Sequence, residues 1–413
     1  MEVVHVRCAG LDISKKDAKV CVRVQGAGGR KTSTTVTTWG SMTNDILRLR
    51  DHLVAEKVTC VVMESTGDYW KPFYYALEDA LPVMLVNPRE ARNRPGRKTD
   101  VSDAAWLADL AAHGLVRGSF VPPEPIRELR DLTRARTALA HDRGRLTQKI
   151  EKVLESAGIK LSAVATDITG VSGRAMLEAL IAGERDPEVI ADLAKRCLRR
   201  KIPDLTEALR GRFTAHHGFM IRMHLDLIDQ HTQALQRLET RIEEAIAPFT
   251  AARELLCSIP GWSTKVAEVF IAETGADMSV FPTAAELVSW AGLSPGANES
   301  AGKIKSTKIR PGNRHLKAAV GIAALVAARS TNTTFFGARF RRITARRGPM
   351  KAIVAVEHAM VTTAWHMLVN GEFYRDPGPD HYTQRRPEHT KTNAVRQLEA
   401  LGYRVTLEKP DAA

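Results

Sequence analysis

The most informative stretch of the chain for its fold is GRKTDVSDAAWLADLAAHG, residues 96–114. Asp100 and Asp103 are three positions apart in it, and small or apolar residues follow at helical spacing. If residues 100–114 form a helix, positions i and i+3 share a face, so both carboxylates point the same way from the first turn. Paired carboxylates on one face can hold a divalent metal ion. The alternative is that Thr99 or Asp100 caps the helix and Asp103 complements the helix dipole.

The residues before this helix alternate between short strands and helices. The patterns predict strands at 3–13, 20–24, 32–38, 58–63 and 83–86, and helices at 44–56 and 68–81. Glycines at 25–30 separate the second and third strands, so the first three strands form an antiparallel meander. The resulting order is strand, strand, strand, helix, strand, helix, strand, helix. This is the order of the ribonuclease H-like fold, and it predicts an α/β domain at the start of the chain.

Acidic residues fall at the ends of two predicted strands. Asp12 interrupts the apolar end of the first strand, and Glu64 follows the fourth. Strands one and four are neighbours in a ribonuclease H-like sheet, and the last helix packs against their carboxyl ends, so Asp12, Glu64, Asp100 and Asp103 would converge. Taken singly, Asp12 could cap a strand end and Glu64 could form an ion pair. Together they predict a two-metal phosphodiester site, because carboxylates at the ends of buried strands are costly unless paired or metal-bound, and oxygen ligands suit Mg²⁺ or Mn²⁺.

Composition and charge indicate a soluble protein that binds a polyanion. The chain has 413 residues and a net charge of +13, and residues 301–351 contain thirteen Lys or Arg and no Asp or Glu. A second basic segment, 89–98, lies just before the candidate metal carboxylates, which favours nucleic acid over a solvated surface or a membrane-surface patch.

The apolar run at 318–328 is too short to span a bilayer, and we expect no membrane association. The five cysteines are scattered and the amino-terminal residues lack a secretion signal, so we expect a cytoplasmic protein.

Two long helices dominate the middle of the chain. They are predicted at 126–157 and 213–247, with short helices at 172–212 between them. Both carry an apolar stripe, and the first is also rich in Arg and Lys. They predict either a coiled-coil dimerisation arm or an ordinary helical bundle.

The last third of the chain is predicted to be mainly helical. The turn at 259–263 is typical of a helix–hairpin–helix that presents backbone N–H groups to a phosphate, although any helical hairpin can use Pro-Gly. The loop at 292–308 contains Ser294, Ser300 and Ser306. Residues 311–314 are predicted to begin one helix, and a further helix is predicted at 353–369. The tail from Gly371 is expected to lie at the surface or against a partner.

Several motifs resemble those of the bacterial insertion-sequence IS110 family of transposases, which are kin to Piv-type DNA invertases. In the first half they are GLDISK at 10–15, MESTGDYW at 63–70, VNPREARN at 86–93 and KTDVSDAAWLA at 98–108. In the second half they are IPGWSTKVA at 259–267 and WAGLSPGANESAGKIKSTKIRPGNRHLK at 290–317. The resemblance implies a RuvC-like DEDD catalytic domain at 1–120, a helical coiled-coil dimerisation arm at 121–250, a transposase domain at 251–375 and a tail at 376–413.

The resemblance also implies a chemistry. Asp12, Glu64, Asp100 and Asp103 would bind Mg²⁺ or Mn²⁺, and Ser300 would be a nucleophile that forms a covalent phosphoserine–DNA intermediate. This chain has Ser-Ala-Gly at 300–302 where Ser-Gly-Gly is common in the family, and Pro311 where a basic residue is common. The residues alone favour a plain surface-loop serine at position 300. The resemblance makes Ser300 the nucleophile, with Ser294 and Ser306 as lesser candidates.

Partners follow from the same resemblance. They are donor and target DNA, an element-encoded bridge RNA, and further copies of the chain in a homodimer that assembles into a homotetramer, in the bacterial cytoplasm at the nucleoid. Two other classes of function fit the sequence: a RuvC-like nuclease or Holliday-junction resolvase that uses water as the nucleophile, and a non-catalytic nucleic-acid-binding protein. Converging carboxylates argue against the second of these, because negative charge near a phosphate weakens backbone binding.

Overall fold

A computed structural model describes residues 2–26, 31–65, 67–88, 103–296, 298–329, 333–385 and 387–408. The chain divides into two compact units, Met1–Val121 and Pro122–Ala413. The first unit is built on a mixed sheet, and the second is mainly helical.

The first unit contains one five-stranded sheet in the order β3-β2-β1-β4-β5. Its strands are β1 (Arg7–Ile13), β2 (Asp17–Val24), β3 (Ser33–Gly40), β4 (Cys60–Glu64) and β5 (Val83–Val86). The pairs β1/β2 and β2/β3 are antiparallel, whereas β4 lies parallel to β1 and β5 parallel to β4. The helices are α1 (Thr43–Ala55), α2 (Trp70–Leu77) and α3 (Asp103–Ala112). The predicted element order is confirmed, although the strand predicted from residue 3 begins at Arg7 and the helix predicted at 68–81 spans only Trp70–Leu77.

Helices cover both faces of this sheet. On one face, Leu11 of β1 and Met63 of β4 pack against α1 and α2 in a shared core with Leu49 and Phe73. On the other face, the neighbouring strand positions pack against α3, as Val62 does against Leu107. Successive side chains of a strand point to opposite faces, so the odd-numbered residues of β1 face α1 and α2 while its even-numbered residues face α3.

The contact between α3 and β1 is a direct backbone approach at Gly10. A Cβ atom built on Gly10 would lie 2.2 Å from the carbonyl oxygen of Ala104 and 2.5 Å from the amide nitrogen of Ala108. Real Cβ atoms do not approach backbone atoms so closely, and a backbone segment inside a helix cannot move aside alone. The absence of a side chain at Gly10 therefore sets how closely α3 lies on the sheet.

Two long helices of the second unit run along each other. The helices are α4 (Glu124–Ser156), α5 (Leu161–Val164), α6 (Val171–Ala182), α7 (Pro187–Asp192), α8 (Ile202–Ala208) and α9 (Ala215–Ile246), with a 3₁₀ helix at Arg196–Lys201. Residues of α4 and α9, such as Ile150 and Leu225, share a core with buried residues of the short helices, such as Leu177 and Leu205. The helices between 124 and 246 therefore form a bundle within one chain, and dimerisation through them stays a prediction.

The rest of the second unit is a helical assembly that carries one small hairpin. The helices are α10 (Thr250–Cys257), α11 (Thr264–Thr274), α12 (Ala284–Trp290), α13 (Arg314–Arg329), α14 (Phe335–Arg347), α15 (Pro349–Asn370), α16 (His381–Arg385) and α17 (Pro387–Ala400), with 3₁₀ helices at Ala247–Phe249 and Met278–Val280. The hairpin strands are β6 (Asn298–Ser300) and β7 (Lys303–Ser306). In the tail, Tyr382 stacks on Phe335 of α14.

Helix α15 is long and apolar enough to cross a membrane, and 39% of its most apolar window is buried inside the structure. A core helix of a soluble domain meets the same criteria. Val356, Met360 and Ala364 of α15 are fully buried, and the helix packs against α13 and α14. These contacts indicate that α15 is a core helix.

The Gly10 contact can be tested with one matched pair of substitutions. Gly10→Ala should lower the free energy of unfolding by about 1–3 kcal/mol, because the new methyl group meets helix backbone that has no room to shift. Gly144→Ala is the control: Gly144 lies on exposed helix surface with nothing within 4 Å of an added Cβ, so helix propensity should raise stability by about 0.5–1 kcal/mol. Urea denaturation followed by circular dichroism measures both. Equal effects of the two substitutions would contradict the close packing.

Candidate functional site

Two predicted acids lie at corresponding ends of neighbouring parallel strands. In the β1/β4 pair, Gly10 is opposite Val62 and Leu11 is opposite Met63, so Asp12 and Glu64 occupy the next step of the register. Because side chains alternate along a strand, Asp12 lies on the face of Gly10 and Glu64 on the face of Val62. Both acids therefore lie on the face that α3 covers, at the carboxyl edge of the two strands, and both are half-buried.

Asp103 is brought to the same edge by α3. It is the first residue of that helix and is exposed. Burial raises the pKa of Asp12, and the negative charge of Asp103 raises it further. The two carboxylates thus lie close enough to repel each other, an arrangement that a bound cation would relieve. Carboxylate pairs of this kind fit Mg²⁺ or Mn²⁺, whose preferred ligands are oxygen atoms.

The structure brings together only part of the predicted metal ligand set. Within the residues that the structure describes, no group of three or more His, Cys, Asp or Glu lies close enough to hold a metal ion. Asp12 and Asp103 interact, and Glu64 lies on the same sheet face at the neighbouring strand end. Asp100 and the basic segment 89–98 lie outside the described residues. The four-carboxylate site accordingly stays a prediction.

A lysine lies on β2, the strand next to Asp12. Lys19 of β2 is opposite Asp12 in the antiparallel pair, and its charge acts to lower the pKa of Asp12, against the larger effects of burial and Asp103. Lys19 is exposed, so its side chain is screened by solvent and offsets the repulsion only in part.

Arg23, which the sequence does not point to, holds α3 against the sheet through an ion pair. Its side chain is 8% exposed, and its Nε lies 3.4 Å from Oδ1 of Asp109 in α3. Arg23 is opposite Cys8 in the β1/β2 register, and the Cys8 thiol donates a hydrogen bond to the carbonyl of Ala108. A strand-end arginine reads as a surface residue in the sequence, and only the position of α3 shows that it is buried. Arg23 and Gly10 together define where Asp103 stands.

The thiols beneath α3 are packing groups. Cys8, Cys21 and Cys60 are all buried on this face of the sheet. Burial raises the pKa of Cys8 to about 12 and raises the pKa of Cys21 and Cys60 as well. Such thiols stay protonated at neutral pH and supply neither a nucleophile nor a metal ligand.

The predicted serine loop contains an ordered hairpin that the sequence analysis missed. Ser300 is the last residue of β6 and pairs with Lys303, the first residue of β7. The two residues between them, Ala301 and Gly302, have φ angles of 50° and 73°. Positive φ at both central positions defines a type I′ turn, the turn that best matches the twist of a two-residue hairpin. Ser300 therefore lies at the tip of the hairpin, immediately before the turn.

The other two candidate serines, Ser294 and Ser306, lie farther from the turn of the hairpin. Ser294 is half-buried at the beginning of the predicted serine loop, and the Ser306 hydroxyl accepts a hydrogen bond of 3.1 Å from the amide of Lys308. Lys303, Lys305 and Lys308 are exposed along the second strand and beyond it. The hairpin thus presents positive charge next to Ser300, which suits the approach of a phosphate.

The Pro-Gly turn predicted as a phosphate contact lies between α10 and α11, as expected. Gly261 has a φ angle of 87°, and Ser263 accepts a hydrogen bond from the amide of Val266 as the N-cap of α11. An added Cβ on Gly261 would lie 2.5 Å from the carbonyl oxygen of Ala323. The turn therefore packs closely against α13, which explains its glycine without a ligand. Contact with nucleic acid stays a prediction.

The turn at Ala301 yields a test of hairpin geometry. A non-glycine residue in the left-handed region is strained, so Ala301→Gly should stabilise the hairpin by about 0.5–1 kcal/mol. Gly302→Ala, the reverse change at the neighbouring position, should destabilise it. Hydrogen exchange of the Gly296 amide, which donates to the carbonyl of Lys308, measures hairpin opening. Slower exchange in Gly302→Ala than in Ala301→Gly would contradict a type I′ turn.

Two family models match the chain. Residues 9–159 match the family model of the IS110 DEDD transposases, and residues 253–336 match a model described as transposase of the IS116/IS110/IS902 family.

Curated relatives resemble most of the chain. An uncharacterized 42 kDa protein of insertion element IS900 from Mycobacterium paratuberculosis is 29% identical over 71% of this chain and 77% of its own length. An uncharacterized 43.6 kDa protein of insertion element IS110 from Streptomyces coelicolor is 29% identical, covering 72% of this chain and 77% of that protein. The transposase for insertion sequence element IS1111A from Coxiella burnetii is 24% identical, over 77% and 80% of the two chains. Because two models of one family match more than half of the chain in the predicted order, the chain belongs to the IS110 family of transposases.

Proposed function

We propose that this transposase cleaves and rejoins DNA strands through a metal site formed by Asp12, Glu64, Asp100 and Asp103 and through a covalent intermediate on Ser300. The observation that carries the proposal is that Asp12 and Asp103 lie close together at the carboxyl ends of β1 and β4, where Glu64 also lies. The negative charges of Asp12 and Asp103 repel each other, and a cation bound at a phosphodiester-cleaving site would offset that repulsion.

The sheet supports a RuvC-like interpretation of the first unit. Three antiparallel strands are followed by two parallel ones in the order β3-β2-β1-β4-β5, which is the arrangement expected of a ribonuclease H-like domain. The acids stand on the central strand, on its parallel neighbour and on the helix after β5, as that fold would place a catalytic set. A fold alone does not establish an activity, so the proposal depends on the acids.

The proposed chemistry needs a few groups in defined roles. The carboxylates would hold Mg²⁺ or Mn²⁺, which when bound supplies positive charge to the scissile phosphate. The Ser300 oxygen would attack phosphorus, so that a Ser–O–P bond forms, the bond from phosphorus to the leaving sugar oxygen breaks, and that oxygen receives a proton. A strand-end hydroxyl would then attack the phosphoserine and release the serine. The number of phosphate ester bonds is conserved, so rejoining needs no ATP.

The partners we propose are donor DNA, target DNA and an element-encoded bridge RNA, with the chain acting as a homodimer that assembles into a homotetramer. Support comes from the uneven charge, since the segment 301–351 alone carries thirteen basic residues and no acidic ones. A protein guided by base pairing contacts mainly backbone and shape, which such a surface suits.

Covalent capture tests the proposal. Labelled donor DNA incubated with protein, Mg²⁺ and the flanking RNA should yield a protein–DNA adduct on a denaturing gel, and the adduct should disappear in Ser300→Ala while DNA affinity changes less than about twofold, since one neutral hydroxyl contributes little to backbone binding. Ser294→Ala and Ser306→Ala are the matched controls and should retain the adduct.

Other outcomes of the same experiment favour other functions. An adduct that persists in Ser300→Ala would place the nucleophile elsewhere. Cleavage that yields free 5′ phosphates without an adduct in any variant would favour a RuvC-like nuclease or junction resolvase, whose acid geometry would be the same. Binding without cleavage, unchanged by Asp12→Asn combined with Asp103→Asn, would contradict catalysis altogether.

A further inference from the structure

A buried ionic cluster lies at the base of the Ser300 hairpin. Its centre is Glu273, the penultimate residue of α11, whose side chain is 0% exposed. Arg134 of α4 donates two hydrogen bonds of 2.7 Å to the two carboxylate oxygens. The side-chain amide of Asn313 donates a third, of 2.6 Å, to Oε2. We call these residues, together with Arg130, the Glu273 cluster.

Arg130 joins the same cluster to the end of α11. Its guanidinium donates to the carbonyl oxygens of Ala272 and Glu273 at 3.0 and 2.8 Å, and its Nε lies 3.5 Å from the Glu273 carboxylate. Burial opposes the ionised form of Glu273, but the hydrogen bonds from Arg134 and Asn313, together with the positive charges of Arg134 and Arg130, hold the pKa of Glu273 below its ordinary value. The carboxylate is thus charged and fully partnered at neutral pH. Removal of one partner leaves a charge buried without compensation, which is costly.

Asn313 connects the Glu273 cluster to the base of the hairpin. It is the last residue before α13, and its side-chain oxygen accepts hydrogen bonds of 3.0 Å from the amides of His315 and Leu316. One side chain therefore caps α13 with its oxygen and contacts Glu273 with its nitrogen. This double use fixes where the segment 292–312 ends.

The other end of that segment is fixed by a glycine crossing. An added Cβ on Gly312 would lie 2.3 Å from the amide nitrogen of Gly292, so the two ends of the segment touch backbone to backbone. Above the crossing, Pro295 bridges to Ile309 and the Gly296 amide donates to the carbonyl of Lys308. The amide of Leu293 also donates a hydrogen bond of 3.0 Å to the carbonyl of Val288 in α12, and Leu293 is buried, so the beginning of the segment is attached to α12. The Glu273 cluster joins the other end of the segment, at Asn313, to α4 and α11.

We infer that Glu273 and Asn313 are positioning residues that hold the Ser300 hairpin in a fixed place relative to α4. The inference rests on the proposed role of Ser300 as the nucleophile. Neither residue touches the reacting atoms; they act through the base of the hairpin. A nucleophile held about 1 Å out of place can lose two orders of magnitude in rate, so the predicted effect is on the rate of attack and not on DNA affinity.

Asn313→Ser separates positioning from helix capping. Serine keeps an oxygen that can cap α13 but is too short to donate to Glu273. The rate of adduct formation at saturating DNA should fall at least tenfold, while the DNA concentration for half-saturation changes less than twofold. Hydrogen exchange measured without DNA should rise about tenfold at the Gly296 amide and stay unchanged at the Leu316 amide. Asn370→Ser, an exposed position at the end of α15, is the control.

The exchange measurement keeps the two proposals distinguishable. If the unaltered protein forms no adduct on Ser300, the proposed function fails, and exchange in Asn313→Ser still tests the hairpin tie. If the protein forms the adduct and Asn313→Ser matches it within twofold in both rate and exchange, the positioning inference is wrong. Should Asn313→Ser fail to fold, Arg134→Lys is measured in the same way. It keeps the positive charge and loses the paired hydrogen bonds, and it should show the same two effects; unchanged values would overturn the inference.

Discussion

The direct backbone contact between α3 and β1 at Gly10 is the constraint on which the candidate site depends. Any side chain at this position would lift the helix off the sheet, because an added Cβ would already overlap the helix backbone at Ala104 and Ala108. With glycine there, the first residue of α3 is held near the end of β1, and Asp103 comes close enough to raise the pKa of Asp12. The acid pair is therefore a consequence of close packing. The ion pair of the buried Arg23 with the half-exposed Asp109 holds the same helix from the neighbouring strand.

In the second unit, buried charged groups hold the Ser300 hairpin in place. Its hairpin is too short to carry a core, since β6 and β7 have three and four residues, so its position depends on how its base is attached. A glycine crossing and a buried, fully partnered carboxylate make that attachment. A similar ion pair joins α4 to α11 nearby. Arg136 of α4 and Glu268 of α11 are both buried, and Arg136 donates a hydrogen bond of 2.5 Å to Glu268. Buried ion pairs add little net stability over apolar packing, but they select one geometry, which a site that must present a hydroxyl requires.

The sequence predicted much of the first unit because its signals are local. Apolar strands, glycine turns and helical spacing predicted the element order, and the order of a ribonuclease H-like sheet predicted that Asp12 and Glu64 lie at neighbouring strand ends. The hairpin at 298–306 was missed because NESAGKIKS has no alternation of apolar residues and its turn uses Ala301 where Asn or Gly is usual. Glu273 was missed because a glutamate on a helix reads as a solvated residue, while every residue of α11 from Val266 to Thr274 is buried. Burial on all sides is a tertiary property, and no window of sequence reveals it.

The most direct measurement of whether the acids share a cation is Mn²⁺ binding followed by electron paramagnetic resonance. We expect that the protein binds Mn²⁺, that Asp12→Asn and Asp103→Asn each weaken binding at least tenfold, and that Asp51→Asn on α1, on the other face of the sheet, leaves it unchanged. Circular dichroism confirms that each variant is folded. Mn²⁺ affinity that is the same in Asp12→Asn, Asp103→Asn and the unaltered protein would contradict a metal site at this strand edge.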